Sequence, residues 1–378
     1  MTLNDPSIAT PARRPGRTRR PYADGTRPTP YRSHVESIGA LVPRRRVSSR
    51  EVLERCVHRP AIDIEGVTGI VERRMCEPGE DSLTLSVGAA RDCLAHSKYA
   101  AEDLELIVFC GIAKYDSGVQ HMRFEPGMSV MIRNAIGAHG AMTFDLGNAC
   151  AGMMTGVHVV NDFVRRGAVH TGMIVSGEFI THLMENASRH VDQPRHPQTA
   201  SLTLGDAGAA VILDRAHHGG EGIDAAVFST LSEHVDLCTG APCPTGPGAH
   251  MLTRAKEIHE QAIMGTPLIV QRALQAAGIT FDQVDIVVTH QTAVSAIKKC
   301  SALVNGIFGS DRAKWIINVD RYGNTASTSH FVALRRLLQE GQCKRGERIL
   351  LLTQASGLVL GAVVFTLDEL GERYGRTN

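Results

Sequence analysis

The sequence predicts an α/β protein built from two similar halves. From residue 31 onward, short apolar runs typical of buried strands alternate with helical segments. This alternation indicates largely parallel sheets covered by helices. Composition agrees: 43% of the residues are hydrophobic but only 4% are aromatic, and the chain holds 37 glycines. So many small residues suit helices packed closely on buried strands better than an all-β sandwich.

The predicted strands and helices follow from short apolar runs and from longer segments with helical patterns. Strands are expected at 105–112, 172–180, 207–213, 284–290, 315–320, 348–354 and 361–367. Helices are expected at 81–97, 153–167 and 331–341. The last of these helices ends in a glycine, as helix C-termini prefer.

A weak internal repeat supports the division into halves. AAEDLELIVFCG resembles TFDQVDIVVTHQ, and MIVSGEF followed by LGDAGAAVIL resembles ILLLTQASGLVLGAVVFTL. Two matching pairs in the same order predict halves spanning residues 31–215 and 216–378, packed about a pseudo-twofold axis. Residues 1–30, rich in Pro, Arg and Thr, are predicted to be a flexible extension. A basic docking tail for an acidic partner is the alternative for that segment.

Composition also excludes several function classes. A formal net charge of +1 gives no strong field toward nucleic acid or a membrane surface. The nine cysteines form no CxxC pair, which favours the reduced thiols of a cytoplasmic protein. The chain has no apolar run of about 18 residues, the length needed to span a bilayer. No spaced cluster of His, Cys and Asp predicts a metal, and no cofactor is expected.

Cys150 is the strongest candidate for chemistry. A strand-like TFDL runs into NACAG, and a helical pattern begins directly after the cysteine. A thiol at a helix N-terminus lies where the macrodipole favours the thiolate. Its small neighbours leave room for a bulky group to reach the sulfur. A buried structural cysteine is the alternative, and this is the interpretation for Cys93, Cys110 and Cys300.

Two polar residues are candidate partners of Cys150. His290 in VVTHQT follows a buried strand, at the strand end where α/β proteins collect their functional groups. Asn324 in RYGNTAS follows a glycine in a tight turn. Taken alone, the asparagine indicates turn structure more strongly than function.

Five motifs together resemble one enzyme family. DLGNACAG, LGDAGAAVIL, THQTAVSAI, YGNTAS and GLVLGAVVF occur in the order and spacing of β-ketoacyl-ACP synthase III enzymes, and TGIVERR resembles that family's early segment. The resemblance covers nearly everything from about residue 35 to the end. It implies the thiolase fold, with two pseudo-symmetric halves in a five-layered α-β-α-β-α arrangement. It also implies a homodimer that acts on acyl-CoA or acyl carrier protein thioesters.

The resemblance assigns roles to particular residues. Cys150 matches the cysteine that takes the acyl group as a thioester. His290 and Asn324 match the pair that hydrogen-bonds the carbonyl of the second thioester, which becomes an enolate in a Claisen condensation. The oxyanion hole for acyl transfer would consist of backbone N–H groups, from Cys150 and from Ser356 or Gly357.

Departures from the family pattern point toward specialised metabolism. The tryptophan expected before TGI, which helps hold the CoA adenine, is absent. Ser295 stands where an arginine often docks the carrier protein, with Lys298 and Lys299 nearby. The closing turn reads QASGLVLG instead of the usual glycine-rich form, which makes the donor at Ser356 the less certain of the two.

RFEPGMSVMIRNAIGA resembles a stretch of head-to-head condensing enzymes of olefin biosynthesis. In those enzymes a glutamate enters the partner subunit's active site and can act as a base. Glu125 matches that place, and a solvent-facing turn residue before Pro126 is the alternative. Glu178 in SGEFIT is a weaker candidate, with a structural hydrogen-bonding role favoured for it.

Three functions remain open from sequence. The leading hypothesis is a condensing enzyme, with malonyl-type decarboxylation or α-deprotonation by Glu125 generating the carbon nucleophile. The second is a transferase that forms an ester or amide with His290 as general base. The third is a partner subunit that depends on another biosynthetic synthase. The loop holding Cys238 and Cys243 has no second ligand pair for a metal and is expected to cover the acyl tunnel.

Overall fold

A computed structural model describes residues 31–216 and 222–374. The predicted extension at residues 1–30 lies outside the described residues. The strands are β1 Ser33–Leu41, β2 Arg46–Ser48, β3 Glu72–Arg74, β4 Leu106–Phe109, β5 Tyr115–Asp116, β6 His121–Met122, β7 Met142–Asp145, β8 Thr171–Glu178, β9 Ala207–Arg215, β10 Gly222–Thr230, β11 Cys238–Pro242, β12 Ala249–Thr253, β13 Ile286–Thr289, β14 Lys314–Trp315, β15 Arg348–Ala355 and β16 Val359–Thr366. The helices are α1 Ser49–Glu54, α2 Ile64–Thr68, α3 Ser82–Ala95, α4 Met128–Ile136, α5 Gly152–Arg165, α6 Thr181–Ala187, α7 Ala255–Ala277, α8 Val294–Phe308, α9 Val319–Tyr322, α10 Ser329–Gln339 and α11 Leu370–Tyr374.

Two five-stranded sheets have corresponding strand orders. The first runs β1-β9-β8-β4-β7 and the second β10-β16-β15-β13-β14. In each sheet the fourth strand in that order, β4 or β13, follows an acidic 3₁₀ turn and pairs in parallel with both neighbours. The remaining pairs are antiparallel. The repeat seen in the sequence is therefore two similar α/β halves, whereas the prediction of largely parallel sheets holds for only half of the pairings.

The elements stack in five layers. Helix α3 covers the outer face of the first sheet, and α7 with α8 covers the outer face of the second. Helices α5 and α10 lie between the sheets and share the largest apolar cluster with strands of both. The architecture is therefore α-β-α-β-α, and the carboxyl ends of β4 and β13 lie close to the N-termini of α5 and α10.

Close packing of α3 on the first sheet explains two of the glycines. A Cβ at Gly39 would lie 2.2 Å from the backbone nitrogen of Cys93, and one at Gly208 would lie 2.2 Å from the carbonyl oxygen of Leu85. Only glycine allows the helix backbone to approach the strands so closely. Cys93 is fully buried at that contact, as predicted for a core cysteine.

The observed elements confirm most of the predicted ones and correct one. The three predicted helices correspond to α3, α5 and α10, and six of the seven predicted strands form. The exception is 315–320, where pairing stops after Trp315 and the chain turns into α9. The apolar run there is buried by packing and not by strand pairing, a distinction that short runs do not reveal. Among the described residues, no helix is both long enough and apolar enough to cross a membrane.

A buried histidine ties β1 to the end of each sheet. His34 forms ion pairs with Asp214 of β9 and, at 2.9 Å, with Asp368 after β16. Burial alone would lower the pKa of His34, but the two carboxylates outweigh it and raise the pKa to about 9. The charged histidine therefore stabilises the folded state fully below the unfolded pKa near 6.5, and this contribution is lost as the pH rises through 9.

We expect this histidine to make the free energy of unfolding depend on pH in the alkaline range. Between pH 6.5 and 9.5, the protein should lose on the order of 2 kcal/mol more than a His34→Gln variant does. Urea denaturation at both pH values measures the difference. The exposed His139→Gln change serves as the control. Equal losses in the protein and in His34→Gln would contradict the assignment.

Candidate active site

Cys150 lies in the connection between β7 and α5. A 3₁₀ turn, Ala149–Ala151, carries the cysteine, and α5 begins two residues later at Gly152. Ala149 adopts a φ of 45°, a left-handed conformation that is uncommon for a residue with a side chain. A Cβ at Gly152 would lie 2.1 Å from the carbonyl oxygen of Cys110, just after β4. The turn that carries Cys150 therefore packs directly on the end of β4.

The cysteine is partly accessible and lies between two apolar clusters. We call the first the acyl-side cluster; its members around Cys150 are Ala113, Ile180, Leu183, Leu204, Met251 and Ala326. The second, the hairpin-side cluster, is named for the β15–β16 hairpin and contains Ala149, Ala151, Phe228, Ala355 and Val359. Both halves of the chain contribute to each cluster. The sulfur therefore lies in apolar surroundings at the junction of the two halves.

Burial sets the protonation state of Cys150. Desolvation raises the pKa of the thiol well above its ordinary value, and the nearby Cys238 and Glu178 raise it further. The helix N-terminus predicted from the sequence would favour the thiolate, whereas burial in the folded chain opposes it. The turn Ala149–Ala151 leads directly into α5 at Gly152.

His290 follows β13 directly and is buried. Its backbone N–H donates to the carbonyl of Leu352 on β15 at 2.8 Å, and its Nδ1 lies 2.9 Å from the Ser329 hydroxyl. Burial, with small contributions from His330 and His259, lowers the pKa of His290 to about 3. The imidazole is therefore neutral near pH 7. The Ser329 hydroxyl donates to Nδ1 in the tautomer that carries the ring proton on Nε2, and accepts from Nδ1 in the other tautomer.

Asn324 is held by the first half of the chain. It forms an isolated parallel bridge with Leu204, and its carbonyl accepts from the N–H of Gly205 at 3.0 Å. A Cβ at Gly205 would lie 2.0 Å from the carbonyl oxygen of Tyr322, so the two turns fit only with glycine there. The Asn324 Oδ1 accepts from the N–H of Ala326 at 3.0 Å. The amide nitrogen of the side chain is therefore the end left to donate.

The turn between β15 and β16 holds Ser356 and Gly357. Ala355, immediately before this turn, belongs to the hairpin-side cluster with Cys150. Gly357 adopts a φ of 129°, in the region that favours glycine. The segments that carry Cys150, Asn324 and the Ser356–Gly357 turn are therefore neighbours, and His290 is joined to them through Ser329 and β15.

The two glutamates that the sequence singled out lie in opposite environments. Glu178, at the end of β8, is fully buried and accepts hydrogen bonds from the N–H groups of Ile112 and Ala113. Burial raises its pKa, and these hydrogen bonds oppose that shift. Glu125 is exposed on the single chain, between β6 and α4. Beside it Phe124 is 84% exposed.

The sequence patterns did not identify several residues that surround the site. Met251 of the β11–β12 hairpin packs in the acyl-side cluster, and Cys238 lies close enough to affect the pKa of Cys150. The hairpin therefore lies beside Cys150, and its expected role in covering an acyl tunnel stays a prediction. Ser329 and Ser327 gave no sequence signal, because a buried serine looks like any other until its partner is known. Among the described residues, no group of three or more His, Cys, Asp and Glu side chains could hold a metal ion.

Comparisons with known proteins agree on one family. Residues 144–232 match the family model for 3-oxoacyl-[acyl-carrier-protein (ACP)] synthase III, and residues 274–367 match the model for its C-terminal part. The chain is 27% identical over 341 residues to the beta-ketoacyl-[acyl-carrier-protein] synthase III of Rhodospirillum centenum, covering 89% of this chain and 99% of the relative. The Symbiobacterium thermophilum enzyme of the same name is 28% identical over 342 residues, covering 87% of this chain and 96% of the relative.

Solved structures share the fold. A cysteine-to-serine variant of Xanthomonas campestris OleA with bound lauric acid and lauroyl-CoA matches with a TM-score of 0.77 at 22% identity, covering 89% of this chain and 99% of that one. The priming β-ketosynthase of the R1128 polyketide pathway matches with a TM-score of 0.77 at 23% identity, covering 91% and 99%. The five-layered arrangement of this chain is therefore the arrangement of these proteins.

Proposed function

We propose that Cys150 is the nucleophile of a condensing acyltransferase. The chain belongs to the 3-oxoacyl-[acyl-carrier-protein] synthase III family of the thiolase superfamily. The observation that carries the proposal is the position of this partly accessible thiol between two apolar clusters, beside the segments of two neutral donors. An apolar surrounding suits an acyl chain, and neutral donors suit an enolate oxygen.

The first step is acyl transfer. The Cys150 sulfur attacks the carbonyl carbon of an acyl thioester, and the bond from that carbon to the donor sulfur breaks. The thiol proton of Cys150 is balanced by the proton that the departing CoA or carrier-protein thiol takes up. Backbone N–H groups of Cys150 and of Ser356 or Gly357 would stabilise the oxyanion. Because the resting thiol is protonated, deprotonation accompanies the arrival of the thioester.

The second step forms the carbon–carbon bond. A second thioester reaches the acyl-enzyme and becomes a carbon nucleophile, while its carbonyl oxygen takes on negative charge. His290 Nε2–H and the Asn324 amide donate to that oxygen. The new bond forms between this α-carbon and the acyl carbonyl carbon. The Cys150 sulfur leaves as a thiolate and is protonated again.

Two routes to the carbon nucleophile remain in the proposal. A malonyl-type thioester would lose carbon dioxide, whereas a simple acyl thioester would lose an α-proton to Glu125. Glu125 would serve the second copy of a homodimer, and its exposure on the single chain is compatible with that role. Exposed apolar residues in the same region, Val119, Phe124, Val130 and Met142, favour a partner surface beside the edge strand β7.

The experiment that tests the function starts from the wild-type protein. We expect incubation with a panel of acyl-CoAs to raise its intact mass by one acyl group. The chain length that acylates the largest fraction of the protein is the preferred one. Addition of malonyl-CoA or of excess acyl-CoA should then release a β-ketoacyl product of the corresponding mass. A product formed without malonyl-CoA and lost in Glu125→Gln would select the deprotonation route. No mass gain from any acyl-CoA or acyl carrier protein would refute the proposal.

A further inference from the structure

Glu178 is a buried carboxylate that neither step of the proposed reaction uses. Its side chain has no exposed surface. Oε1 accepts from the N–H of Ile112 at 3.0 Å and from the Ser327 hydroxyl at 2.5 Å, and Oε2 accepts from the N–H of Ala113 at 3.0 Å. The Ser176 hydroxyl lies 3.4 Å from Oε1 and 2.9 Å from the Ser327 hydroxyl. One carboxylate thus satisfies donors from three separate segments.

These segments surround the nucleophile. The turn of residues 111–113 follows β4, and Ala113 belongs to the acyl-side cluster around Cys150. Ser327 lies in the 3₁₀ turn Ala326–Thr328, which begins two residues after Asn324. Ala326 belongs to the same cluster, and its N–H holds the Asn324 side chain. Glu178 therefore joins the first half of the chain to the turn that carries a proposed enolate donor.

We propose that Glu178 is a positioning residue, whose carboxylate holds the turn of residues 111–113 against the turn of residues 326–328. The clamp sets both the apolar wall beside the Cys150 sulfur and the direction of the Asn324 amide. This inference rests on the proposed roles of Cys150 and Asn324. The acceptor-only chemistry of a carboxylate is essential to it. A glutamine would turn an NH₂ group toward one of the donors and leave a buried N–H or hydroxyl without an acceptor.

The carboxylate also acts electrostatically on the nucleophile. Burial is the main cause of the raised pKa of the Cys150 thiol, and the Coulombic effects of Cys238 and Glu178 add to it. Cys238 lies on the β11–β12 hairpin, and Glu178 lies at the end of β8. Burial and Asp145 are the larger causes of the raised pKa of Cys110, just after β4, and Glu178 adds to them. Glu178 therefore lies close enough to the nucleophile to affect its protonation.

The test compares kcat with KM in Glu178→Gln. Misplacement of reacting groups lowers kcat but leaves the affinity for the thioester donor largely unchanged. We therefore expect kcat to fall by roughly 10- to 100-fold and KM to change by less than about threefold. Ser327→Ala removes one link of the clamp and leaves the carboxylate in place. It should lower kcat in the same direction by a smaller factor. This second variant decides the matter if Glu178→Gln does not fold.

A second readout separates positioning from mere stability. The rate constant for alkylation of Cys150 by iodoacetamide at a fixed pH should change in Glu178→Gln, because the apolar wall beside the sulfur is no longer held in place. The matched control is Glu36→Gln. Glu36 is another fully buried carboxylate and accepts from Ser97, Lys98 and Arg373. This variant should lose thermal stability with kcat and the alkylation rate constant unchanged.

Two results would overturn the positioning role of Glu178. Unchanged kcat in Glu178→Gln or, if that variant does not fold, in Ser327→Ala would overturn the clamp. Equal losses of kcat in Glu178→Gln and Glu36→Gln would reduce Glu178 to a structural role and overturn it as well. Failure of the wild-type protein to load an acyl group on Cys150 is a different result. It refutes the proposed function before the Glu178 variants are measured.

Discussion

A Cys150→Ala variant is expected to gain no acyl mass from any donor and to lose condensing activity by roughly 10³-fold or more. The reason is covalent: the acyl group has no sulfur to receive it, and the two-step route closes. The fold should persist, because the side chain is small and only partly buried. Intact-mass measurement after incubation with acyl-CoA reports the first effect, and product formation reports the second.

The control for this variant is a thiol of similar chemistry away from the site. Cys343 is buried in the main core, where burial raises its pKa to about 12. Cys343→Ala should load acyl groups as the wild-type protein does, at some cost in stability. Continued acyl gain in Cys150→Ala, with the same stoichiometry, would place the nucleophile on another residue and contradict the assignment.

A His290→Ala variant is expected to load the acyl group but to condense it roughly 10²- to 10³-fold more slowly. The imidazole is proposed to donate to the enolate oxygen of the second step and not to activate Cys150, so the loss should fall on the second step alone. Loading by intact mass and β-ketoacyl product by single turnover measure the two steps separately. Loss of loading in His290→Ala would instead make the histidine a general base for Cys150.

The pH dependence of the wild-type enzyme tests the same assignment. Because burial lowers the pKa of His290 to about 3, this group is neutral throughout the range from pH 5 to pH 8. The condensation rate of the preloaded acyl-enzyme should therefore not depend on a histidine titration at His290. Any inflection near pH 6.5 in its pH profile should remain in His290→Ala. His139→Ala, at an exposed position, is the control and should match the wild-type protein.

The sequence contained enough to predict the architecture and the candidate site residues. Alternation of apolar runs with helical segments, and the repeat of an acidic turn before a buried strand, indicated the two halves. The ordered motifs around Cys150, His290 and Asn324 indicated the family. Each of these signals lies within a short segment, because the hydrophobic pattern of a strand and the residue types of a turn can be recognised from neighbouring residues.

Other features depend on residues far apart in the chain. Of the predicted strand at 315–320, only Trp315 is in a strand, and the chain enters α9 at Val319. The loop around Cys238 is a hairpin whose Met251 packs beside Cys150. Glu178 looked like a minor candidate until its four hydrogen-bond donors, from residues 112, 113, 176 and 327, were brought together. A pattern within one segment cannot predict hydrogen bonds and packing contacts between residues that are far apart in the chain.

Residue patterns alone predicted the resemblance to the synthase III family, the two similar α/β halves and the candidate nucleophile. The protonation states of the site, a protonated Cys150 and a neutral His290, follow from the folded environment. The physical reason is that a pKa responds to the water excluded and the charges gathered around a group. Those are supplied by both halves of the chain, and a helix N-terminus read from sequence is one small part of that sum.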